Sequence, residues 1–424
     1  MDKNYQRSIR RLRERCREED DISDADGEAI LGFSDRIELL GSRYSDERHE
    51  FHLMRLVNMA QSVGGLAAAL EDRGAAEEIV RWIHREYDNP ETNKDYRVSL
   101  RMFGEHATDG EGKPESIDWV PSGYESTYDP APDPSHMLHW EKHIIPMIEA
   151  CHNNRDKALI AVAWDLGARP GELYDLTLVN FSDGTFGWKV TLHGKRGQRS
   201  PTIIPAVPYV QNWFTDHPAH DPNKDPLQDS ESVDAPLWSK LHSNDQISYK
   251  MMTKILKEAA RRPGVTRPVT PSIFRKSSAS YLASQNVSQA HIENHHGWSR
   301  GSEVAARYIA VFGKESAREV ARAHGVDVSA DEPDPTAPLT CPRCRNDTPR
   351  HEPTCVHCSH PMDQSAVEAL ETAQQAISKD LVDLEESGLR AAANEALEEM
   401  FADEDFLAST VARYMQTHSS GTSP

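Results

Sequence analysis

The sequence contains no apolar run that approaches the ~20 residues of a membrane-spanning helix. Its start, MDKNYQRSIRRLRERCREED, is too polar for a secretory signal peptide. These absences predict a soluble, cytoplasmic protein. Cysteine is scarce, with six in 424 residues, so a disulfide-held fold is not expected. The length is sufficient for two or three domains, each with its own core.

The sequence also has few positive charges: it contains 47 Lys and Arg against 68 Asp and Glu, which gives a net charge of -21. A nucleic-acid-binding protein usually has a basic patch, so this balance argues against such a partner. However, arginine outnumbers lysine about two to one and the acidic residues occur in runs. This composition suggests a halophilic source, where the Debye length is only ~3 Å at 1 M salt. DNA is therefore not excluded, provided that a local basic groove exists.

The N-terminal third of the chain has helical patterning. Residues 1–48 are strongly charged and predict a partner- or DNA-contacting arm or, equally, a solvated helix. Residues 49–103 have clear helical periodicity and predict a small all-helical domain. Residues 104–135 are rich in Gly, Pro, Asp and Ser without periodicity, which predicts a linker. Three cations on one short helix could contact phosphates, although such runs are often only exposed faces: Lys94, Arg97 and Arg101.

A second domain is predicted over residues 136–325, mainly helical with a small antiparallel β-sheet. The segments FGWKVTL and PTIIP have strand-like character, and residues 193–197 between them form a turn. Lys195 is therefore expected at or beside a hairpin tip. Further along, Arg275 lies on a helix that begins after Pro271, and a Gly-Trp pair precedes a helix that carries Tyr308.

Two arginine-bearing segments could together handle a phosphodiester. The first, DLGARPGELYDL, contains Arg169 and Glu172, and Arg275 follows about a hundred residues later. A planar guanidinium group can hold two phosphate oxygens at once. A tyrosine has an ordinary pKa near ~10, so it needs positive surroundings and a base before it can attack phosphorus. A lysine on a mobile hairpin could protonate the leaving oxygen.

In order and spacing these segments resemble the tyrosine recombinase, or phage-type integrase, family over roughly residues 50–315. GARPGEL resembles the first arginine box, HGKRGQR the hairpin with the family's lysine, and Phe274-Arg275 the second box. The resemblance implies a helical core-binding domain that clamps double-stranded DNA, a catalytic domain, a 3′-phosphotyrosyl intermediate without a cofactor, and a homo-oligomer on DNA. It gives catalytic roles to Arg169, Lys195, Ser272, Arg275, Trp298 and Tyr308.

One position departs from the family pattern. The second box is usually His-x-x-Arg, and here it is Ser272-x-x-Arg275. Serine does not titrate near pH 7, and His291, His295 and His296 either compensate or are structural. Two hypotheses follow: an active site-specific recombinase, or a catalytically weakened relative that binds DNA sequence-specifically. A third, a zinc-ribbon adaptor unrelated to DNA, leaves the arginine boxes unused.

Four of the six cysteines form two Cys-x-x-Cys pairs separated by ten residues: Cys341, Cys344, Cys355 and Cys358. Thiolates at this spacing can close a tetrahedral Zn²⁺ site on a fragment too small to have a core. Residues 338–362 therefore predict a structural zinc ribbon. Residues 363–418 predict an acidic helical tail that either self-associates or packs back onto the ribbon.

Overall fold

The computed structural model divides the chain into two compact units, residues 1–130 and 131–424. The structure describes residues 5–107, 112–124, 131–194, 197–220, 234–312, 324–326, 335–368 and 370–372. Within these ranges no helix is both long enough and apolar enough to cross a membrane. The architecture is mainly helical with small antiparallel sheets, which confirms the predicted fold class.

The described part of the N-terminal unit is helical. Several helices begin where a side chain accepts a hydrogen bond from a first-turn N–H group, namely after Ser23, Ser45 and Asp72. The helices are α1 (Tyr5–Glu18), α2 (Asp24–Leu39), α3 (Asp46–Ser62), α4 (Leu66–Ala69), α5 (Arg73–Glu86), α6 (Pro90–Ala107) and α7 (Glu115–Asp118).

Residues 1–48 share one core with residues 49–103 and do not form a separate arm. Ile9, Leu12 and Cys16 are buried on one face of α1, and α1 packs on α2 and α3. A helix with such an apolar stripe buries it wherever the fold offers a covering surface. The boundary expected at residue 48 therefore falls inside a single core.

The expected linker over residues 104–135 belongs in part to the same core. Ile117 and Val120 are fully buried there. Arg97, itself buried, donates to the carbonyl oxygens of Pro121 and Gly123. Arg101 donates to the carbonyl oxygens of Asp118 and Val120. These two arginines hold the chain after α6 in place. Their surroundings therefore favour a structural role over the phosphate contact considered for them.

The C-terminal unit is a helical domain with short strands. A π-helical turn (Trp140–Ile144) leads into α8 (Ile145–Glu149). The remaining helices are α9 (Asn154–Leu166), α10 (Pro170–Tyr174), α11 (Val207–Asp216), α12 (Tyr249–Arg261), α13 (Pro271–Ser284), α14 (Gln289–His296) and α15 (Glu303–Phe312). The strands are β1 (Phe181–Ser182), β2 (Trp188–Val190), β3 (Leu192–Gly194), β4 (Gly197–Arg199), β5 (Thr202–Ile203), β6 (Ser239–Lys240) and β7 (Ser243–Gln246).

These strands form three separate antiparallel sheets. One has the order β1-β2-β5, while β3-β4 and β6-β7 are two-stranded hairpins. Strand β5 packs on α9, which also contacts α11 and α13. Trp164, Trp213 and Trp238 are fully buried in this core, and each indole N–H donates to a backbone carbonyl. Satisfied indoles fix the packing of the helices that carry the candidate site.

A small two-stranded element follows, made of β8 (Leu339–Thr340) and β9 (Asp347–Thr348). Cys341 and Cys344 of the predicted ribbon lie between its two strands, and Cys355 and Cys358 follow β9. The predicted tail over residues 363–418 is described only to residue 372, and the rest lies outside the described residues.

Candidate active site

Arg275 is held by the ends of two helices. It lies on α13, which begins at the N-cap Thr270, whose side chain accepts from the Ile273 N–H group. One guanidinium nitrogen donates to the Gly167 oxygen (2.8 Å) and the other to the His296 oxygen (2.6 Å). Carbonyl groups at a helix C-terminus have no intrahelical partner and carry partial negative charge. Burial lowers the pKa of Arg275 to about 10, and the nearby Arg169 acts in the same direction. The group remains a cation at neutral pH.

Arg169 and Arg199 both donate hydrogen bonds to the carboxylate of Glu172. Arg199 contacts both of its oxygens (2.8 and 2.6 Å), and Arg169 donates to Oε1 (2.8 Å) and, through its backbone N–H, to Oε2 (2.9 Å). Burial raises the pKa of Glu172, but hydrogen bonds from Arg199 and Arg169 outweigh burial and lower it to about 2. Glu172 is therefore always charged at neutral pH. Three arginines, Arg275 included, against one carboxylate leave a net charge of +2.

The C-terminus of α14 brings these arginines together. Arg169 donates to the Gly297 oxygen (2.8 Å), and Arg199 Nε donates to the His295 oxygen (3.2 Å). Gly297 ends the helix with φ 61°, a left-handed conformation that glycine adopts without strain. A Cβ atom on Gly194 of β3 would clash with Glu172 Oε1, so only glycine lets the hairpin pass this close.

Tyr308 is buried beside this cluster in a stack of aromatic rings. Its ring lies 5.6 Å from that of Trp298 at 15°, and Trp298 lies 4.9 Å from His296 at 17°. The guanidinium carbon of Arg275 is 5.2 Å from the Trp298 ring centroid. Burial raises the pKa of Tyr308 to about 12, although Arg275 opposes the shift. Among the described residues the Tyr308 hydroxyl has no hydrogen-bond partner. In this conformation the phenol is protected from ionisation.

Residues 140–315 match the phage integrase family. This region is a phage integrase family domain. No curated protein matches the chain.

Solved structures give a likeness of the fold alone, because their sequence identity is low. A lambda integrase dimer bound to a COC′ core site is 13% identical, with a TM-score of 0.51 over 67% of this chain and 77% of that chain. The XerH site-specific recombinase bound to palindromic difH substrate, in a post-cleavage complex, is 12% identical. Its TM-score is 0.49, over 75% of this chain and 95% of that chain.

Within the integrase domain the structure brings together four of the six residues expected from the sequence. Arg169, Arg275, Trp298 and Tyr308 lie around the end of α14. Ser272 is exposed in the first turn of α13, three residues before Arg275 and so on the same helix face.

Lys195 lies outside the described residues, between β3 and β4. The hairpin that should carry it is present, since Gly194 pairs with Gly197 and Leu192 with Arg199.

The histidines considered as substitutes for the missing imidazole have different surroundings. His295 Nε2 contacts the Asp165 oxygen (3.2 Å), and His296 Nδ1 contacts the Ile292 oxygen (3.1 Å). Burial lowers the pKa of His295 to about 4 and that of His296 well below its usual value. Both are neutral at pH 7 and bound to backbone, which favours a structural role. His291 is exposed, 3.0 Å from the Ser288 hydroxyl.

Arg199 of the integrase domain was missed by sequence reasoning. It lies in the same HGKRGQR segment as Lys195 but offers no periodic signal. Its partner Glu172 is 27 residues away. A strand that leaves a hairpin beside an arginine box is the only sequence feature that could have suggested it.

The four ribbon cysteines cluster, and their sulfur atoms all lie within 4.8 Å of one another. The Cys341–Cys358 and Cys344–Cys355 sulfur pairs are 3.7 and 3.6 Å apart. A tetrahedral site with Zn–S bonds of ~2.3 Å has edges of ~3.8 Å, so the thiols are spaced as such an ion requires. The residues just after each Cys-x-x-Cys, Arg345 and Ser359, have φ values of 64° and 51°. The cluster could hold a metal ion.

Proposed function

We propose that this protein is a site-specific DNA recombinase that cuts and rejoins double-stranded DNA through a 3′-phosphotyrosyl intermediate. The observation that carries the proposal is the convergence of Arg169, Arg275 and Tyr308 at the end of α14. These residues come from segments up to 139 positions apart. General packing gives no reason to collect two cations at one helix end, next to an aromatic stack that includes a tyrosine. The phage integrase family domain over residues 140–315 supports the same reaction.

Hydrogen-bond capacity separates the arginines that can bind DNA from the one that positions them. A guanidinium group has five N–H donors. Arg169 and Arg275 each donate two of these N–H groups to acceptors within the protein, so three N–H groups remain on each for phosphate oxygens. Arg199 uses three of its five N–H groups within the protein, and its side chain is only 10% exposed, so its two remaining donors are poorly accessible. We therefore assign phosphate binding to Arg169 and Arg275 and positioning to Arg199, acting through Glu172.

In the proposed reaction Tyr308 gives its phenolic proton to solvent water, its oxygen bonds to phosphorus, and the bond from phosphorus to the 5′-oxygen breaks. Lys195 protonates that leaving oxygen, and the phosphotyrosyl bond conserves the energy for rejoining. With its pKa raised to about 12, only about one Tyr308 in 10⁵ is ionised at pH 7. Tyr308 must therefore leave the stack with Trp298 when DNA binds, so that the arginines can stabilise the developing charge.

The alternative is a DNA-binding relative with weakened catalysis, and the surroundings of Ser272 favour it. Ser272 offers a hydroxyl but no group that titrates near pH 7. His295 and His296 are held by backbone carbonyls and kept neutral, so neither replaces the imidazole readily. Loss of general acid-base assistance typically costs ~10²–10⁴-fold in rate. We expect slow cleavage, since both phosphate-binding arginines are retained.

The decisive experiment traps the covalent intermediate. The full-length protein is incubated with a pool of nicked duplexes randomised around the nick, and covalent protein–DNA adducts are isolated after denaturation. Tyr308→Phe should abolish the adduct and leave DNA binding intact. Tyr281→Phe is the matched control, because its hydroxyl contacts only Thr336 (3.2 Å) among the described residues.

Survival of the adduct in Tyr308→Phe would refute the assignment of the nucleophile. If the wild-type protein retains duplexes from the pool but forms no adduct, the DNA-binding alternative is correct.

We also propose that Cys341, Cys344, Cys355 and Cys358 bind one structural Zn²⁺. The sulfur spacing supports a closed tetrahedral site with no position for substrate. The metal would hold the ribbon together and take no part in cleavage.

The wider organisation follows from the same proposal. The N-terminal unit would serve as the core-binding domain, and the protein would act as a homo-oligomer on DNA. The cytoplasm, where DNA is accessible, is the expected location. The acidic, arginine-rich composition supports a halophilic source.

A further inference from the structure

Helix α1 carries an unusual charge for so acidic a chain. Its 14 residues, YQRSIRRLRERCRE, include six arginines and two glutamates, a net charge of +4 in a protein of net charge -21. Ile9, Leu12 and Cys16 face the core. At ~100° per residue, the exposed arginines fall within an arc of roughly 120° on the opposite side of the helix. They are Arg7, Arg10, Arg11 and Arg17.

Two of the six arginines form hydrogen bonds with other side chains of the protein. Arg13 donates to the Ser34 hydroxyl (2.8 Å) and the Asp35 carboxylate (2.5 Å). Arg15 donates to Glu19 (2.9 Å) and to Gln61 (2.5 Å).

The outward-facing arginines differ from these. Arg10, Arg11 and Arg17 form no hydrogen bond or ion pair with any residue that the structure describes. We call these three the α1 arginine face. Two glutamates share this side of the helix, Glu14 and Glu18, so the exposed arginines outnumber the exposed acids four to two. Unpaired cations on an otherwise acidic protein indicate a partner that brings its own negative charge.

We infer that the α1 arginine face binds the phosphate backbone of duplex DNA; the inference rests on the proposed function, which makes DNA the partner. From Arg10 to Arg17 the helix rises ~10 Å, and B-DNA presents a phosphate charge every ~1.7 Å of its axis. Several phosphates therefore lie within reach of the three side chains. Guanidinium forks match phosphate oxygens in geometry as well as in charge.

The composition of the face favours DNA over a membrane surface. A membrane-binding helix inserts large apolar side chains beside its cations. No large hydrophobic residue is exposed on α1. Of the other cations expected to contact phosphates, Arg97 and Arg101 are committed to backbone carbonyls. Lys94 lies over the Tyr124 ring, 3.9 Å from its centroid.

The test measures how binding depends on salt. Full-length protein is titrated against a fluorescein-labelled duplex of arbitrary sequence, and anisotropy gives the binding constant at several salt concentrations. The triple variant Arg10→Gln, Arg11→Gln, Arg17→Gln should lower the slope of log K against log salt by ~2.7, or ~0.9 for each phosphate that is no longer neutralised. At 0.1 M salt this corresponds to binding ~500-fold weaker, if affinity at 1 M is unchanged.

The matched control removes the same charge from another exposed helix of the same unit. Arg73, Arg81 and Arg85 are exposed on α5, where two of them pair with Glu77. Their replacement by Gln should leave the slope within about half a unit of wild type, because the same phosphates remain neutralised. Replacing the α1 arginines with Lys should retain the slope, since the charge is kept.

The outcomes separate this inference from the proposed function. An unchanged slope in the α1 variant, or an equal reduction in the α5 control, overturns the inference. Single replacements, each expected to lower the slope by ~0.9, decide the matter if the triple variant fails to fold. With saturating DNA the α1 variant should still form the Tyr308 adduct. If the slope falls while even wild type forms no adduct, the DNA surface stands and the recombinase assignment fails.

Discussion

Replacing Glu172 with glutamine should destabilise the C-terminal unit by about 3 kcal/mol at neutral pH. The carboxylate accepts three side-chain hydrogen bonds from Arg199 and Arg169 and one from the Arg169 backbone N–H. Glutamine would turn an N–H₂ donor toward donors of the arginines. The buried Arg199 and the part-exposed Arg169 would then lose their counter-charge, which is costly.

The magnitude follows from the pKa of Glu172. Its fall from 4.5 to about 2 is 2.5 units, or ~3.4 kcal/mol at 1.36 kcal/mol per unit. The side chains of Glu172 and Arg199 are only 6% and 10% exposed, so solvent screens this pair little.

The dependence on pH has a definite sign. Because the folded-state pKa is depressed, the stabilisation is fully present well above pH 4.5. It is lost as pH falls from about 4.5 toward 2. The difference between wild type and Glu172→Gln should therefore shrink by ~1.4 kcal/mol between pH 7 and pH 3.5.

Urea unfolding followed by tryptophan fluorescence measures this difference. Six of the eight tryptophans belong to the C-terminal unit and report on its transition: Trp140, Trp164, Trp188, Trp213, Trp238 and Trp298. The control is Glu303→Gln, an exposed carboxylate near Arg307 on α15, which should change stability by less than ~0.5 kcal/mol. A Glu172→Gln effect that is below ~1 kcal/mol, or equal at pH 7 and pH 3.5, would refute the reasoning. Adduct formation should also slow, because Arg169 loses its fixed orientation.

Three further predictions concern the imidazole, the metal and the N-terminal unit. Ser272→His should raise the rate of adduct formation by ~10²-fold or more, because it restores a group that titrates near pH 7. Elemental analysis should find about one zinc per chain, and Cys341→Ser should lose it while adduct formation persists. Acid should destabilise the N-terminal unit, because burial lowers the pKa of His52 to about 4. As pH falls, His52 is protonated in the unfolded chain before it is protonated in the folded one. The free energy of unfolding therefore decreases by up to ~3.4 kcal/mol between pH 6.5 and pH 4.

Each of these has a control and a contrary result. Ser284→His, at the exposed end of the same helix, should not change the adduct rate; no gain for Ser272→His would place the base elsewhere. Cys151→Ala should retain the metal, and metal-free protein prepared without chelator would exclude the zinc site. His52→Gln should remove much of the acid sensitivity. An unaltered pH profile in that variant would show that other groups dominate.

The local signals in the sequence determined more than the fold class. The Cys-x-x-Cys pairs cluster because two short knuckles need only local turns to bring their sulfur atoms together. Helix α13 begins where Thr270-Pro271 predicts, since capping is a property of neighbouring residues. The two arginine boxes were recognisable because their spacing along the chain is part of the pattern.

The tertiary structure alone decided which charges face each other. Glu172 finds Arg199 across 27 residues, and no periodicity encodes such a pair. Arg97 and Arg10 are both arginines on charged helices, yet one is buried among carbonyl groups and the other is exposed. Their roles differ because burial forces a cation to satisfy its donors within the protein, whereas exposure leaves them available to a partner. Burial depends on which helices pack together, and the three-dimensional fold determines that packing.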